Sequence, residues 1–471
     1  MQTFKRNTHS DDYWIQKNRY YYQELARYYQ FVIPKGYKVL QVGCRSGYLL
    51  NAVSPSYGVG IDNNAEYLTL GKTNYPSLTF YQGTLADVAQ QELKNQTFDY
   101  IILSHTLMKE YDIQSFLEQL HPLCTQKTRI VLNNCSALWE PLLSLGNKLG
   151  MRRPEPFKNW ISLPDLENLL DLANFETVYN GHQTLFLKYI PLFSFFCNKI
   201  LANIPFIERL CLDQLIIAKI KPQPLDASKL TCSVIIPCRN ERGNIEPAVQ
   251  QVPLMGAHTE IIFVEGQSKD GSYEEIERVA AKYTNRPGFS ISYEKQTGRG
   301  KGNAVFQGFN KATGDIIMIQ DGDITVAPTE LPKFFNAMAS GKGEFINGVR
   351  LIYSMESGAM RFLNLIANKI FGIGFSWLLR HRIKDTLCGT KVLWREDWKK
   401  IEKHRSFFGD FDPFGDFDLL FGAAKQNLKI LDMPVHYKDR SYGTTQISRF
   451  KHGLLLLSMS FVALKKFKLG K

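Results

Sequence analysis

The chain has 471 residues, of which 44% are hydrophobic and 22% are charged. This is an ordinary globular composition with room for two or three domains, which excludes a lone small module and a largely disordered chain. The formal net charge is +12, made of 22 basic and 20 acidic residues over 1–228 and of 35 basic and 25 acidic residues over 229–471. The second half therefore carries the excess, which suits a phosphate-rich ligand, an anionic membrane surface or nucleic acid.

The termini and the cysteines indicate the compartment. The opening MQTFKRNTHSDDYW lacks the apolar core of a signal peptide, and the longest charge-free apolar run near the end, 453–464, is too short to span a bilayer. Eight scattered cysteines without a CxxC pair are typical of reduced thiols in the cytoplasm. We therefore expect a cytoplasmic protein that does not cross a membrane.

Apolar runs rich in β-formers alternate with helical patterns along the whole chain. Five of these runs, which predict buried parallel strands of α/β sheets, are 38–42, 98–103, 232–237, 260–264 and 314–319. A polar stretch with two prolines separates the halves at 221–230. We predict two doubly wound α/β domains, at 1–222 and 230–445, joined by a linker at 223–229 and followed by a basic amphipathic segment at 446–471.

In the first half, a glycine turn connects two predicted strands. The strand at 38–42 runs into Gly43-Cys44-Arg45-Ser46-Gly47 and a helical pattern, and the next strand, at 57–61, is followed by Asp62. Glycines let the backbone approach a nucleotide-type cofactor, and an acid closing the second strand can accept hydrogen bonds from ribose hydroxyls. The unit predicts a cofactor site.

Over about residues 20–221 this half resembles the class I S-adenosylmethionine-dependent methyltransferases. The resemblance lies in VLQVGCRSG, GVGIDNN, the FDYIIL strand and LDQLIIAKI. It implies a Rossmann-like fold that binds S-adenosylmethionine through Gly43, Gly47 and Asp62. Three positions depart from the family pattern, namely Gln41, Arg45 and Thr84, so the alternative is a scaffolding domain. His105 is a candidate base on the acceptor side, or a packing residue.

In the second half, three successive predicted strands end in loops that carry carboxylates. The first ends at Pro237 and leads to Glu241, the second reaches Glu265, and the third leads to Asp321-Gly322-Asp323. Ligands of open α/β sheets bind beyond the carboxyl ends of the strands, so these groups are expected to converge. Two carboxylates around a glycine suit Mg²⁺ or Mn²⁺ together with a diphosphate; a plain surface turn is the alternative.

Over about residues 230–445 this array resembles the family 2 glycosyltransferases of GT-A fold. The matching pieces are SVIIPCRNE, IIFVEGQSKDGS, GRGKGNAVFQGFNKATGD, DGD, DTLCGTKVL, GDFDPFGDFDLLFGA and MPVHYKDRSYGTTQISRF. The resemblance implies the following site: Pro237, Glu241, Glu265, Lys301 and Asp321 hold the nucleotide-sugar donor, Asp321 and Asp323 bind the metal, and Arg440 meets the diphosphate. Glu265 stands where the family more often has an aspartate.

Four aspartates lie within residues 410–418. Their carboxylates repel one another, so such a cluster indicates a bound cation or a role in proton transfer. The four are Asp410, Asp412, Asp416 and Asp418. We interpret Asp416 as a general base or acceptor-orienting group, with helix capping as the alternative, which is stronger for Asp418. Asp385 lies where the family resemblance implies an acid close to the acceptor.

Two amphipathic basic segments, 360–384 and 453–471, suit helices lying in a membrane interface, and the first resembles the interface helices of dolichyl-phosphate mannose synthase-like enzymes. Core helices with basic edges are the alternative. We therefore expect a metal-dependent, inverting glycosyltransferase that acts on a polyprenyl phosphate or a saccharide. The alternative main activity is methyl transfer to a glycan or lipid precursor. A nucleic-acid binder is disfavoured because no basic stripe interleaved with aromatics is present.

Overall fold

The computed structural model describes residues 10–153, 159–354, 362–407, 415–443 and 449–470. The chain divides into two compact units, one made of residues 1–221 with 468–471 and the other of residues 222–467. Each unit is built on a seven-stranded sheet with helices between its strands. The predicted α/β class is confirmed for both halves.

The first unit contains the strands β1 (Lys38–Val42), β2 (Tyr57–Asp62), β3 (Thr79–Gln82), β4 (Phe98–Ser104), β5 (Cys124–Cys135), β6 (Phe175–Gln183) and β7 (Asp213–Ile220). Its helices are α1 (Asp11–Lys17), α2 (Arg19–Val32), α3 (Tyr48–Ala52), α4 (Ala65–Asn74), α5 (Leu85–Gln91), α6 (Ile113–Glu118), α7 (Glu140–Lys148), α8 (Leu163–Leu172) and α9 (Phe193–Phe195). Short π and 3-10 turns fill 196–203 and 207–210.

The strand order in the first unit is β3-β2-β1-β4-β5-β7-β6. The first five strands run parallel, and β7 is antiparallel to both of its neighbours. The central strands are almost entirely apolar because helices cover both faces of the sheet. The order reverses beside β1, so the turn after β1 lies where open α/β sheets bind their ligands.

The second unit contains the strands β8 (Thr231–Cys238), β9 (His258–Glu265), β10 (Phe289–Lys295), β11 (Ile316–Ile319), β12 (Phe345–Val349), β13 (Lys391–Trp394) and β14 (Ile430–Pro434). Its helices are α10 (Arg242–Gln251), α11 (Ser272–Lys282), α12 (Lys301–Lys311), α13 (Leu331–Ala339), α14 (Phe362–Leu379), α15 (Arg395–Lys403), α16 (Asp416–Lys425) and α17 (Arg449–Leu464). A π-helical turn at Lys465–Leu469 follows α17.

The strand order in the second unit is β10-β9-β8-β11-β13-β12-β14, and β13 is the antiparallel member between β11 and β12. Strands β8, β9 and β11 are parallel and in register, with Cys238 opposite Glu265 and Ile235 opposite Ile319. The loops that follow these three strands therefore leave from the same edge of the sheet.

Among the described helices, none combines the length and the hydropathy needed to cross a membrane. This agrees with the short apolar run at 453–464, which forms part of α17.

Candidate functional site

The edge formed by β8, β9 and β11 collects the predicted carboxylates of the second unit. Glu241 lies in the loop after β8, Glu265 ends β9, and Asp321 and Asp323 follow β11 across Gly322. A methyl group at Gly322 would lie 2.9 Å from the carbonyl oxygen of Pro237. The glycine thus allows the turn with its two aspartates to pack directly against the end of β8.

Asp321 is paired with Lys301, the first residue of α12. Its Oδ1 lies 2.6 Å from the Lys301 ammonium. Burial would raise the pKa of the Asp321 carboxyl, but the charge of Lys301 and its hydrogen bond outweigh burial, so this pKa lies below its usual value. Lys301 thus presents its ammonium from the first position of this helix, directly after Gly300.

Arg440 joins two further carboxylates. Its guanidinium donates to Asp323 Oδ2 at 2.5 Å and to Glu241 Oε1 at 3.3 Å. The segment 435–440, here called the closing segment, returns over the sheet edge. It is held there by backbone hydrogen bonds from Val435 to Val349 and from Lys438 to Thr325. Residues some 200 positions apart thus share one charge network.

Glu241 is almost fully buried, and burial raises the pKa of its carboxyl to about 7, against the lowering effects of an Asn244 hydrogen bond and of Arg440. Nearby Asp323 and Asp270 add to the rise. Asn244 donates to Glu241 Oε2 at 2.7 Å. Glu241 is therefore poised to change its protonation close to neutral pH.

Glu265 is buried, and its Oε1 accepts a hydrogen bond from the backbone N–H of Ser268. Pro237, at the end of β8, is partly exposed beside it. Both residues lie on the edge where the donor was predicted to bind; their contacts with a donor stay a prediction.

The carboxylate ligands at this edge suit a hard divalent cation. Within the described ranges no group of three or more His, Cys, Asp or Glu side chains could hold a metal. Asp321 and Asp323 supply two carboxylates on either side of a glycine, and Mg²⁺ and Mn²⁺ commonly take one or two carboxylates and complete their shell with substrate phosphates and water. These residues would hold a metal together with a diphosphate.

Asp385 lies beside this edge but faces inward. Its carboxylate is fully buried and accepts from Arg350 Nε at 2.8 Å, from Arg350 Nη2 at 2.9 Å and from Asn368 Nδ2 at 2.6 Å. Burial would raise the pKa of Asp385, but Arg350 holds it well below its usual range. This geometry favours a positioning role for Asp385, through Arg350, over direct contact with an acceptor.

Asp416 begins α16 directly after Gly415, whose φ is +77°. It is buried, its Oδ1 lies 3.7 Å from the Lys391 ammonium, and its charge acts on Lys301. It therefore belongs to the same electrostatic cluster as Asp321. Asp418 accepts from Arg405 at 3.0 Å, while Asp410 and Asp412 lie outside the described residues.

In the first unit, the turn after β1 is closed by Asp62. Arg45 donates its backbone N–H to Asp62 Oδ2 at 2.8 Å, and Asn64 donates to Oδ1 at 3.0 Å. Gly43 and Gly47 have φ of +71° and +81°, and Arg45 adopts +52°. The arginine thus takes a left-handed conformation in the glycine turn, and its side chain donates to Tyr22.

A cavity of about 360 Å³ lies beside this turn, a size typical of small-molecule sites. Its walls include Gly43, Arg45 and Gln41, while Gly47 and Asp62 are not among them. Gln41 is buried, and its Oε1 has no hydrogen-bond partner. Gln41 lies in the cavity wall with its Oε1 closed off from open space, so this oxygen could accept from the ammonium group of S-adenosylmethionine once the side chain turns toward the cavity.

His105 also lines this cavity and belongs to a largely buried polar network. Its Nε2 lies 2.9 Å from Tyr21 Oη and 3.0 Å from Asn133 Nδ2, and both of those groups also donate to Asp213 Oδ1 at 3.0 Å. Burial raises the pKa of Asp213 to about 6. His105 has φ of +54°, an unfavourable conformation that the network holds in place.

Two family models match this chain. Residues 33–160 match a family described as methyltransferase domain, and residues 233–415 match glycosyl transferase family 2. The chain joins a methyltransferase domain to a family 2 glycosyltransferase domain. The fusion predicted from the motifs is thus confirmed.

The chain is similar to several curated sugar transferases. A dolichol-phosphate mannosyltransferase of Pyrococcus furiosus is 34% identical, over 46% of this chain and 58% of that protein. A low-salt glycan biosynthesis hexosyltransferase of Haloferax volcanii is 26% identical, over 47% of this chain and 51% of that protein. The chain spans 40% to 62% of the length of four of the curated relatives it matches.

On the methyltransferase side, a solved S-adenosylmethionine-dependent methyltransferase of Thermotoga maritima is 12% identical. The alignment covers 45% of this chain and 94% of that protein, with a TM-score of 0.34. This likeness is too slight to bear on function.

Sequence reasoning missed three residues of the glycosyltransferase site. Arg350 follows β12, Asn368 lies in α14 and Lys391 begins β13, where it is fully buried beside Asp416. Lys391 belongs to the DTLCGTKVL piece already singled out, so a lysine at the start of a buried strand was the available signal. Arg350 and Asn368 are isolated in the sequence and meet Asp385 only in the fold.

Gly389 tests whether the Asp321–Lys301 pair belongs to the donor site. A methyl group there would overlap both the carboxylate and the ammonium. Gly389→Ala should therefore displace the pair and weaken binding of a nucleoside diphosphate with Mn²⁺ by at least about tenfold in titration calorimetry. Gly374→Ala is the matched control, since a methyl group there meets nothing within 4 Å. Equal binding by both variants would contradict this assignment.

The raised pKa of Glu241 predicts a pH-dependent stability. Its folded-state pKa of about 7 exceeds the ordinary value of 4.5, so the ionised carboxylate destabilises the fold, and stability is lost as pH rises from about 4.5 to 7. Glu241→Gln should raise the melting temperature at pH 8, by an amount worth about 1–3 kcal/mol, and leave it nearly unchanged at pH 5.

Glu246, in the helix α10 that directly follows Glu241, provides a control of opposite sign. Hydrogen bonds from Lys282 and Arg278 lower its pKa to about 2. Glu246→Gln should therefore lower the melting temperature at pH 8. If Glu241→Gln also lowers the melting temperature at pH 8, the ionised Glu241 carboxylate stabilises the fold despite its burial.

Proposed function

We propose that this protein is a metal-dependent, inverting glycosyltransferase that moves a sugar from a nucleotide diphosphate to a polyprenyl phosphate. The convergence of Asp321, Asp323, Glu241, Lys301 and Arg440 at one sheet edge carries the proposal. A bound Mg²⁺ or Mn²⁺, held by the two aspartates, would supply positive charge at the leaving diphosphate. The match to family 2 and the similarity to dolichol-phosphate mannosyltransferases support it.

The protein's own cations have a defined task in this proposal. Lys301 and Arg440 are each paired with one of the two aspartates. The donor diphosphate, which is the leaving group, carries negative charge like the aspartates. Lys301 and Arg440 would therefore bind it in the same way as they now bind the aspartates. Pro237, Glu241 and Glu265 would line the base and ribose, as the family resemblance implies.

The surroundings of the site favour an ionised acceptor. A sugar hydroxyl must lose a proton to a carboxylate, whereas a lipid phosphate, with a second pKa of about 6, is already anionic. Asp385 and Asp416 are both buried beside cations. A saccharide acceptor, with Asp416 as base, is the second candidate.

Two helices of the glycosyltransferase unit suit a membrane interface. Helix α14 exposes Ile370 and Ile373, with Lys369 exposed beside them, and α17 exposes Leu454 and Phe461. Apolar side chains on one face with lysines at the edge are typical of helices that lie on an anionic leaflet. We propose that the protein is peripheral at the inner face of the cell membrane, where a polyprenyl phosphate would be within reach.

The decisive experiment measures nucleoside-diphosphate release from a panel of nucleotide sugars. Release should need Mn²⁺ or Mg²⁺ and polyprenyl phosphate, and Asp323→Ala should lower it by at least about 100-fold, because the metal contributes several kcal/mol to the transition state. Glu277→Ala, an exposed acid on α11, is the matched control and should keep full release. No release from any donor would refute the proposal.

A comparison of Asp416→Asn with the native chain separates the two acceptors. With a lipid phosphate the variant should retain release within about tenfold, because no proton is removed. With a saccharide acceptor it should lose about 10²- to 10⁴-fold.

Methyl transfer is the second candidate function, favoured by the cavity and by the His105 network. S-adenosylmethionine would bind beside Gly43, with its ammonium on Gln41, and His105, held by Tyr21 and close to Asp213, could accept a proton from a glycan or lipid acceptor. The cofactor would supply the methyl group. A scaffolding role is the alternative.

Gln41→Leu tests the cofactor site without unfolding it. The substitution removes a buried acceptor that has no partner, so stability should be kept or raised. Affinity for S-adenosylmethionine in titration calorimetry should fall at least about tenfold, because a charge-assisted hydrogen bond is lost. Gln91→Leu, at an exposed position, should bind like the native chain. Absence of any binding by the native chain would leave the scaffolding role.

A further inference from the structure

Two segments of the methyltransferase unit expose an unusual amount of apolar surface. Over 138–151 the exposed large apolar side chains are Leu138, Leu142, Leu145, Leu149 and Met151. Over 187–210 they include Tyr189, Leu192, Phe193, Phe195, Phe206 and Leu210. Soluble proteins expose single apolar side chains freely, but contiguous apolar patches mark sites of interaction.

The two segments are neighbours in the fold, joined by hydrogen bonds, and together they are here called the apolar face (residues 138–151 and 187–210). Trp139 donates its indole N–H to the carbonyl of Leu210 at 2.8 Å. Lys188 donates to the carbonyl of Lys17, and Lys17 donates to the carbonyl of Gly150 at 2.7 Å. These contacts tie both segments to the end of α1.

The backbone of the apolar face is strained where it is most exposed. Leu192 and Phe206 have φ of +63° and +74°, a left-handed conformation that bulky side chains rarely adopt. They are 86% and 79% exposed. A fold that accepts strain in order to point a leucine and a phenylalanine outward indicates a use for those side chains.

The charges around the apolar face are mostly basic. Lys17, Lys148, Lys188 and Arg209 are exposed there. Within these two segments Glu140 is the exposed acid and Glu208 is partly buried. Leucine and aromatic side chains ringed by lysine and arginine match a bilayer with anionic headgroups better than they match a protein surface of mixed charge.

The cavity of this unit reaches the same surface. Leu142, Leu145 and Leu149 contribute to its wall together with Leu187 and Lys188. Side chains of the apolar face thus also line the site beside Gly43 and His105.

We propose that the apolar face docks the methyltransferase unit onto an anionic phospholipid bilayer, with the mouth of its cavity at the membrane surface. This contact is separate from α14 and α17 and does not rest on glycosyl transfer. A lipid-borne molecule could then enter the cavity from the bilayer without crossing bulk water.

The test is co-sedimentation of the full chain with vesicles of phosphatidylcholine containing about one third phosphatidylglycerol, without a sugar donor. The double variant Leu192→Asn with Phe206→Asn should bind at least about tenfold more weakly, since two inserted apolar side chains are lost. Asparagine tolerates left-handed φ, so the melting temperature should be unchanged or higher. Pure phosphatidylcholine vesicles should bind the native chain less.

A matched control and a second variant make the result decisive. Tyr111→Asn with Leu172→Asn removes two exposed apolar side chains of the same unit outside the apolar face and should leave vesicle binding within about twofold. Leu138→Asn with Leu149→Asn, on the other segment, should repeat the loss even if the first variant is unstable.

Unchanged vesicle binding in both face variants would overturn the proposal. So would a lipid-free dimer in sedimentation equilibrium that the face variants dissociate, because the face would then bind a second copy of the chain. Neither outcome depends on whether nucleoside diphosphate is released, so this test and the test of glycosyl transfer fail independently.

Discussion

Compensation of negative charge at one sheet edge is the constraint on which the glycosyltransferase unit depends. Parallel strands in register must release their following loops on the same side, and here three of those loops carry carboxylates. Lys301, from the start of α12, and Arg440, 117 positions after Asp323, neutralise the aspartates. These two cations hold helix α12 and the segment around Arg440 to the sheet edge. We propose that the same two cations also bind the donor diphosphate.

Much of this arrangement could be predicted from the sequence. Strands such as β1, β8 and β11 are apolar on both faces and bounded by glycine or polar residues, so their type and approximate limits follow from composition alone. Convergence of Glu241, Asp321 and Asp323 followed from the rule that loops of parallel strands share an edge. The family models agree with both domain assignments.

Other features depend on tertiary contacts that no local pattern encodes. The bidentate pair of Arg350 and Asp385 joins a strand end to a loop 35 positions away, and nothing beside Arg350 in the sequence marks it. Similarly, Arg45 departs from the expected glycine, yet the fold accommodates it because its backbone N–H is bound by Asp62 and its side chain by Tyr22. The sequence does not reveal the apolar face, because leucine and aromatic residues usually indicate a buried core. Only their exposure in the fold distinguishes these residues from core residues.

The burial of Asp385 and Asp416 bears on which kind of acceptor the site can use. A general base must reach the acceptor hydroxyl directly or through one water. Asp385 is enclosed by Arg350 and Asn368, and Asp416 is buried at the start of α16 next to the Lys391 ammonium, so neither presents a carboxylate to solvent. Cations, in contrast, are plentiful at this edge. A nucleophile that arrives already ionised needs these cations and no base, and a membrane-borne phosphate is such a nucleophile. The charge distribution of the site and the exposed apolar helices of the same unit therefore support the proposed acceptor for independent physical reasons.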